Sequence, residues 1–212
     1  MGSYKNAIEL LDYRRQVSNL YNDVRNSSAS PSERWQKWRQ ARDELLLNHS
    51  QTALSAVQKT SFAGLDYFDY DPELRFVLPI DSDIDPEVFE VPLQDDGIMK
   101  MQRFGKVVFE VAQQNVELSL FWIMGYGGGV FMPFRDETNK TGETYGGGRY
   151  LLDTIKHADL GAENGKLVVD FNFAYNPSCA YNPKWHCPLA PKENWLPVSI
   201  EAGEKAYPNN IS

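Results

Sequence analysis

Histidine and cysteine are scarce in this 212-residue chain, with three of the first and two of the second. Zinc sites draw ligands from short, repeated spacings, whereas Cys179 and Cys187 stand as C-x7-C and no HExxH occurs, so the pattern is off for zinc. Long apolar runs are also missing. The longest, around LFWIMGYGGGVFMPF, is short and broken by glycines, and no membrane partner is expected. The first segment, MGSYKNAIELLDYRRQV, lacks the apolar stretch of a secretory signal, so a chain starting there is expected to be cytoplasmic with reduced thiols. Basic charge is in deficit: the formal net charge is −8. Such a surface repels phosphate backbones, which argues against nucleic acid as a partner. GxxxxGK[ST], a complete GxGxxG and GxSxG are all absent, and no βαβ alternation is visible, which disfavours a Rossmann-type fold.

What is present is core material. Hydrophobic residues make up 42% and aromatic residues 13% of the chain, enough for a folded protein with a substantial core. Residues 5–26 read as a helix, with Tyr13, Val17, Leu20, Tyr21 and Val24 on one face. Ser30-Pro31-Ser32-Glu33 is a helix start, with a hydroxyl at the cap, proline first and glutamate three residues on. A second helix over 31–47 then puts Trp35, Trp38, Arg42 and Leu45 on one face, better read as a docking stripe than as a ligand box.

Beyond residue 62 the period changes to two. Strands are expected over 74–80, 88–93, 98–104, 106–112, 116–123, 130–135, 149–152, 167–173 and 197–202, with hairpin turns at QDDG and QQN. The expected fold is mainly β (α+β overall): an antiparallel sandwich or barrel with two N-terminal helices packed on it. In domain terms, residues 1–62 form a helical segment packed on the β domain of 63–212.

Three places carry polar residues in otherwise apolar surroundings. FRDETNKTGETYGGGRY gathers Arg135, Tyr145 and Arg149; an arginine beside flexible backbone either binds an anion in two-pronged fashion or forms half of a structural ion pair with Asp136 or Glu143. In KLVVDFNF, alternation turns Asp170 and Asn172 to the same face. Downstream, DFNFAYNPSCAYNPKWHCPLAPKEN contains Pro177, Pro183, Pro188 and Pro191, which exclude helix and central strand, while its aromatics argue against a loose loop. Residues 173–196 therefore read as a rigid, aromatic-anchored loop that walls a site, with the cysteines as packing residues. Cys179, His186 and Cys187 are the runner-up metal or redox set, and no cofactor is expected.

The blocks RWQKWRQARDELLLNHSQTAL, FAGLDYFDYDPELRF, PFRDETNKTGETYGGGRYLLDT, LVVDFNFAYNPSCAYNPKWHCPLAPKENWLP and IEAGEK together resemble the family catalogued as domain of unknown function number sixteen eighty-four. The resemblance runs from about residue 9 to 205 and implies one unit, helices included, with no assigned activity. From the residues themselves, a small-molecule-binding β domain is expected, either a simple binder or a hydrolase-like enzyme for an anionic or polar substrate. Asp170 and Glu193 would be its acid and base, and Arg135, Tyr145, Arg149, Asn172, Tyr175 and Asn194 would bind substrate between the TYGGGR turn and the 170–194 segment. The alternatives are a non-enzymatic module whose polar residues brace the loop, and a metal or redox site at the two cysteines.

Overall fold

In a computed structural model of the protein, residues 4–93 and 97–208 are described. Helix α1 spans Tyr4–Asn26 and α2 spans Pro31–Asn48. The expected start of α2 is there in full: Ser30 accepts from the Glu33 amide at 3.3 Å, and the Glu33 carboxylate accepts from the Ser30 amide at 2.9 Å. Trp35, Trp38, Leu45 and Leu46 are the buried residues of α2. Trp38 lies 5.0 Å from the Phe173 ring and 6.0 Å from Tyr67, and Trp35 donates its indole N–H to the Asn172 carbonyl at 2.8 Å. The tryptophan stripe is thus the surface by which α2 packs on the strand-bearing part of the chain. A short helix α3, Ala56–Thr60, has a second capping box between Ser55 and Gln58.

The strands form two antiparallel sheets. One is a three-stranded sheet in the order β1–β8–β7: Arg75–Leu78, Lys166–Asp170 and Ala162–Glu163. The other is a five-stranded meander of β2 (Glu87–Pro92), β3 (Ile98–Val111), β4 (Gln114–Ile123), β5 (Gly129–Phe134) and β6 (Arg149–Asp153). A further short α-helix, α4, is Thr138–Thr141. Alternation puts Val107, Phe109, Val116, Leu118 and Leu120 into a shared core with Val169 from the smaller sheet and Phe171 just beyond its end. Phe76, Phe109 and Phe171 meet there with ring centroids 4.9–6.1 Å apart.

Three expectations are corrected, and a fourth falls outside the described residues. The two strands expected at 98–104 and 106–112 are one strand, β3, with a register shift between Arg103 and Gly105. The expected strand over 167–173 stops at Asp170, whose side chain accepts the Asn172 amide at 3.0 Å and turns Phe171–Phe173 into a 3-10 turn. The expected strand over 197–202 is not a strand and pairs with none among the described residues, although Val198, Ile200 and Ala202 are buried. For the QDDG turn, residues 94–96 lie outside the described residues.

The β3–β4 hairpin turns one residue earlier than QQN, at Ala112 and Gln113, with φ of 49° and 61°. Left-handed backbone at both central residues is the demand of a tight I′ turn, which Asn-Gly meets without the crowding a Cβ brings. Replacing Ala112-Gln113 by Asn-Gly is expected to stabilise the fold by about 1 kcal/mol, read as a rise in the urea midpoint with unchanged slope.

Candidate functional site

The motif residues of the large polar segments fold inward. Arg149, on β6, and Asp136, after β5, are fully buried and paired at 2.7 Å. The Arg149 guanidinium also donates to the carbonyls of Ile200 (3.0 Å) and Ala202, and stacks 5.0 Å from the Phe134 ring. Arg149 and its neighbours therefore take the place of a strand partner for 197–202, which explains the strand-like burial there. Asp136 Oδ1 accepts from the Thr138 amide at 2.8 Å, and Asn139 holds Thr144 at 2.8 Å and the Tyr145 carbonyl at 2.6 Å. The turn closes at Gly148, where φ is 93° and a Cβ would stand 2.5 Å from the Phe134 carbonyl oxygen. Burial pushes the Arg149 pKa down against the pull of Asp136.

Asn194 plays a related part. Continuing the β4–β5 register would place Ser119 opposite Pro133, which has no N–H to give. The Asn194 amide fills that gap, accepting from Ser119 N at 2.8 Å and donating to Ser119 O at 3.0 Å and Pro133 O at 2.7 Å. Asn172 clamps the backbone of Asp71 in the same way, at 2.8 and 2.7 Å. A third buried cluster, which sequence reasoning did not single out as a site, joins Arg42 of α2 to Glu204 at 2.8 Å, to Tyr67 at 2.6 Å and to Tyr181 at 2.8 Å. Its one legible sign is Arg42 on the tryptophan face of α2.

The residues expected to share one pocket are dispersed. Arg135 is half-buried with its guanidinium 4.4 Å above the Trp195 ring, whereas the Arg149 guanidinium is fully buried on Asp136. Glu193 is exposed in the turn Lys192–Asn194, away from the residues that surround Asp170. Tyr175 pairs its backbone with Tyr150 at 2.9 and 3.1 Å, and its ring packs edge-on against Tyr150 at 5.7 Å. Tyr145 donates to Cys179 Sγ at 3.5 Å. Among the described residues, no group of three or more His, Cys, Asp or Glu side chains could hold a metal ion, so Cys179, His186 and Cys187 do not form one. No helix among them is long and apolar enough to cross a membrane.

Asp170 is different, because it borders a cleft. A space of about 110 Å³ opens between the end of α1, the start of α2 and the β1–β8–β7 sheet, lined by Arg25, Arg34, Arg75, Glu163, Asp170 and Phe173 among others. Arg75 and Asp170 are register partners across β1 and β8, and Arg75 Nε stands 3.8 Å from Asp170 Oδ2. Asp170 Oδ1 is occupied by Asn172, through its amide and its side chain (2.8 Å). Burial pushes the Asp170 carboxyl up to about 6, against hydrogen bonds from Asn172 and the charges of Arg75 and Arg34, which lower it. Arg75 is also paired with Glu163, and Arg25 donates to the Asp159 carbonyl. Arg34 donates to Val24 O at 3.3 Å, while its buried Nε has no hydrogen-bond partner among the described residues. The three arginines come from three separate elements, so no local pattern announces them.

A family model described as Protein of unknown function (DUF1684) matches residues 60–205, from the end of α3 through both sheets. The solution NMR structure of an uncharacterized protein of Haloarcula marismortui is similar, with a TM-score of 0.58 and 30% identity over 82% of this chain and 92% of that one. No protein with a curated description matches.

Proposed function

Starting from the premise that the chain belongs to this family of proteins of unknown function, we propose that it binds a small anionic molecule in the cleft between the helix pair and the three-stranded sheet. Arg34 and Arg75 hold a carboxylate or phosphate group, and Asp170 is the group that exchanges a proton. One observation carries this reading: Arg25, Arg34 and Arg75 line one cleft together with the buried Asp170 carboxyl, in a protein whose net charge is −8. Guanidinium groups fit planar and tetrahedral oxyanions with paired hydrogen bonds. A carboxyl poised near pH 6 can take or return a proton close to neutrality, as a hydrolase-like reaction on the bound anion would need.

A second reading is favoured by the buried networks at Arg149, Asn172 and Asn194, whose polar groups are largely spent inside the fold. In that reading the polar residues brace an ordered loop, and the protein is an interaction module. Thermal-shift screening with inorganic phosphate, sulfate and short mono- and dicarboxylates at constant ionic strength separates the two. An anion site gives a saturating rise for one class of anion, worth about 2.7 kcal/mol at a hundredfold excess over Kd. A bracing module gives the same small response to all of them.

A further inference from the structure

Cys179 and Cys187 do not line the arginine cleft and use none of its residues. Both are half-buried thiols. Cys179 lies in the turn Ser178–Ala180, and its backbone N–H donates to Cys187 Sγ at 3.3 Å. The two side chains also interact, so the intervening loop with Pro183 brings the sulfurs near each other. On the far side of each sulfur the chain is held: the Tyr145 hydroxyl donates to Cys179 Sγ at 3.5 Å, and the Tyr150 hydroxyl donates to Pro188 O at 2.5 Å. The two sulfurs differ in their donors: Cys187 Sγ accepts a fixed backbone N–H, whereas Cys179 Sγ accepts a tyrosine hydroxyl.

We propose that Cys179 and Cys187 form a thiol–disulfide exchange site, with Cys187 the attacking sulfur and Cys179 the resolving one, acting on small-molecule disulfides. The Cys187 thiolate attacks one sulfur of RSSR, the RS–SR bond breaks, and RS⁻ leaves and takes a proton from solvent. Cys179 then loses its proton and attacks Cys187 Sγ, displacing the second thiol. The sum is RSSR plus the protein dithiol giving two RSH and an internal disulfide, with two electrons passing from protein to RSSR.

The surrounding groups favour this division of labour. The hydrogen bond from Cys179 lowers the Cys187 pKa to about 6, helped by Lys156 and the amides of Cys179 and Ser178 and opposed by burial. The same bond, with burial, pushes the Cys179 thiol up and keeps its proton on until the second step. Of the other groups facing the pair, Asp153 is ion-paired to Lys156 at 3.8 Å, and burial raises the pKa of Tyr145 and Tyr150, so both stay neutral.

The test is alkylation of the reduced native protein by iodoacetamide, read separately at each cysteine by peptide mass spectrometry across pH. Cys187 should titrate with a midpoint near 6 and, at pH 6, react about tenfold faster than free cysteine. That factor is a thiolate gain of about 150-fold reduced roughly 10- to 20-fold by the weaker nucleophile. In oxidised glutathione the native protein should form the internal disulfide, and Cys179→Ser should stop at a glutathione adduct on Cys187. The inference is overturned if Cys187 alkylates no faster than free cysteine at pH 6, or if excess oxidised glutathione leaves the native pair without an internal disulfide. Both deciding readouts use the native protein, so they do not depend on the variant folding.

Discussion

Asp136→Ala is expected to destabilise the protein by about 3–5 kcal/mol. Both members of the Asp136–Arg149 pair are inaccessible to solvent, and the loss leaves a guanidinium uncompensated against Phe134 and the 200–202 backbone. Burial already works against the charged Arg149, and the Asp136 carboxylate is the main group opposing it. The substitution also strips acceptors from the Thr138 amide and hydroxyl, at 2.8 and 2.5 Å, and so loosens the FRDETNKTGET turn itself. Removing both charges should cost less than removing one. Asp136→Ala combined with Arg149→Met is therefore expected to be more stable than Asp136→Ala alone, because no unpaired charge remains inside. Urea unfolding of the native protein and the two variants with unchanged slope checks this. A loss below about 1 kcal/mol for Asp136→Ala would mean that the pair does not hold the turn and the 197–202 segment in place.

Asp170→Asn should act in the opposite direction above pH 6. The folded pKa of about 6 lies above the ordinary value of 3.8, so the fold prefers the neutral acid. The stability that this preference contributes is complete below the unfolded pKa and is lost as pH rises through the folded one. At pH 8 native Asp170 is ionised at a cost, which asparagine removes. With one pKa unit worth about 1.4 kcal/mol, the gain is on the order of 2–3 kcal/mol, less what is lost where the new amide faces Arg75. The gain should shrink steadily to near zero below pH 4. Chemical unfolding of both proteins at pH 4, 6 and 8 measures it, and a loss of stability that does not vary with pH would sink the assignment. A bracing residue has no reason to be destabilising in its working form, whereas a proton-exchanging group does.

Much of the scaffold was legible because its signals are local. The capping box at Ser30–Glu33 and the tryptophan spacing locate α2 and its buried face, and alternation locates the described strands other than the two-residue β7. Residues 197–202 show how that signal misleads. They bury every second side chain as a strand does, yet Arg149 occupies the place of their partner. Asn194 was visible as an odd polar residue, but its job depends on Pro133 leaving a gap beside Ser119, which only the strand register discloses. Arg149 could be read as anion binder or as half of an ion pair, and burial decides between those two geometries. The cleft was the least legible feature, since Arg25, Arg34 and Arg75 lie far apart in sequence and none stands in an unusual motif. Asp170 alone linked the sequence to it.

The most direct measurement of the proposed function is titration calorimetry of inorganic phosphate and of acetate into the native protein and Arg34→Gln at pH 7. Arg34 makes one hydrogen bond to Val24 in the fold and has a buried Nε without a partner among the described residues, so its replacement should leave stability nearly intact. If the cleft is the anion site, one of the two anions binds the native protein saturably, and the variant binds it roughly 10- to 100-fold more weakly, the loss of a charged hydrogen bond worth about 1.5–3 kcal/mol. Equal binding by the two proteins, or binding of neither anion by the native one, would contradict it.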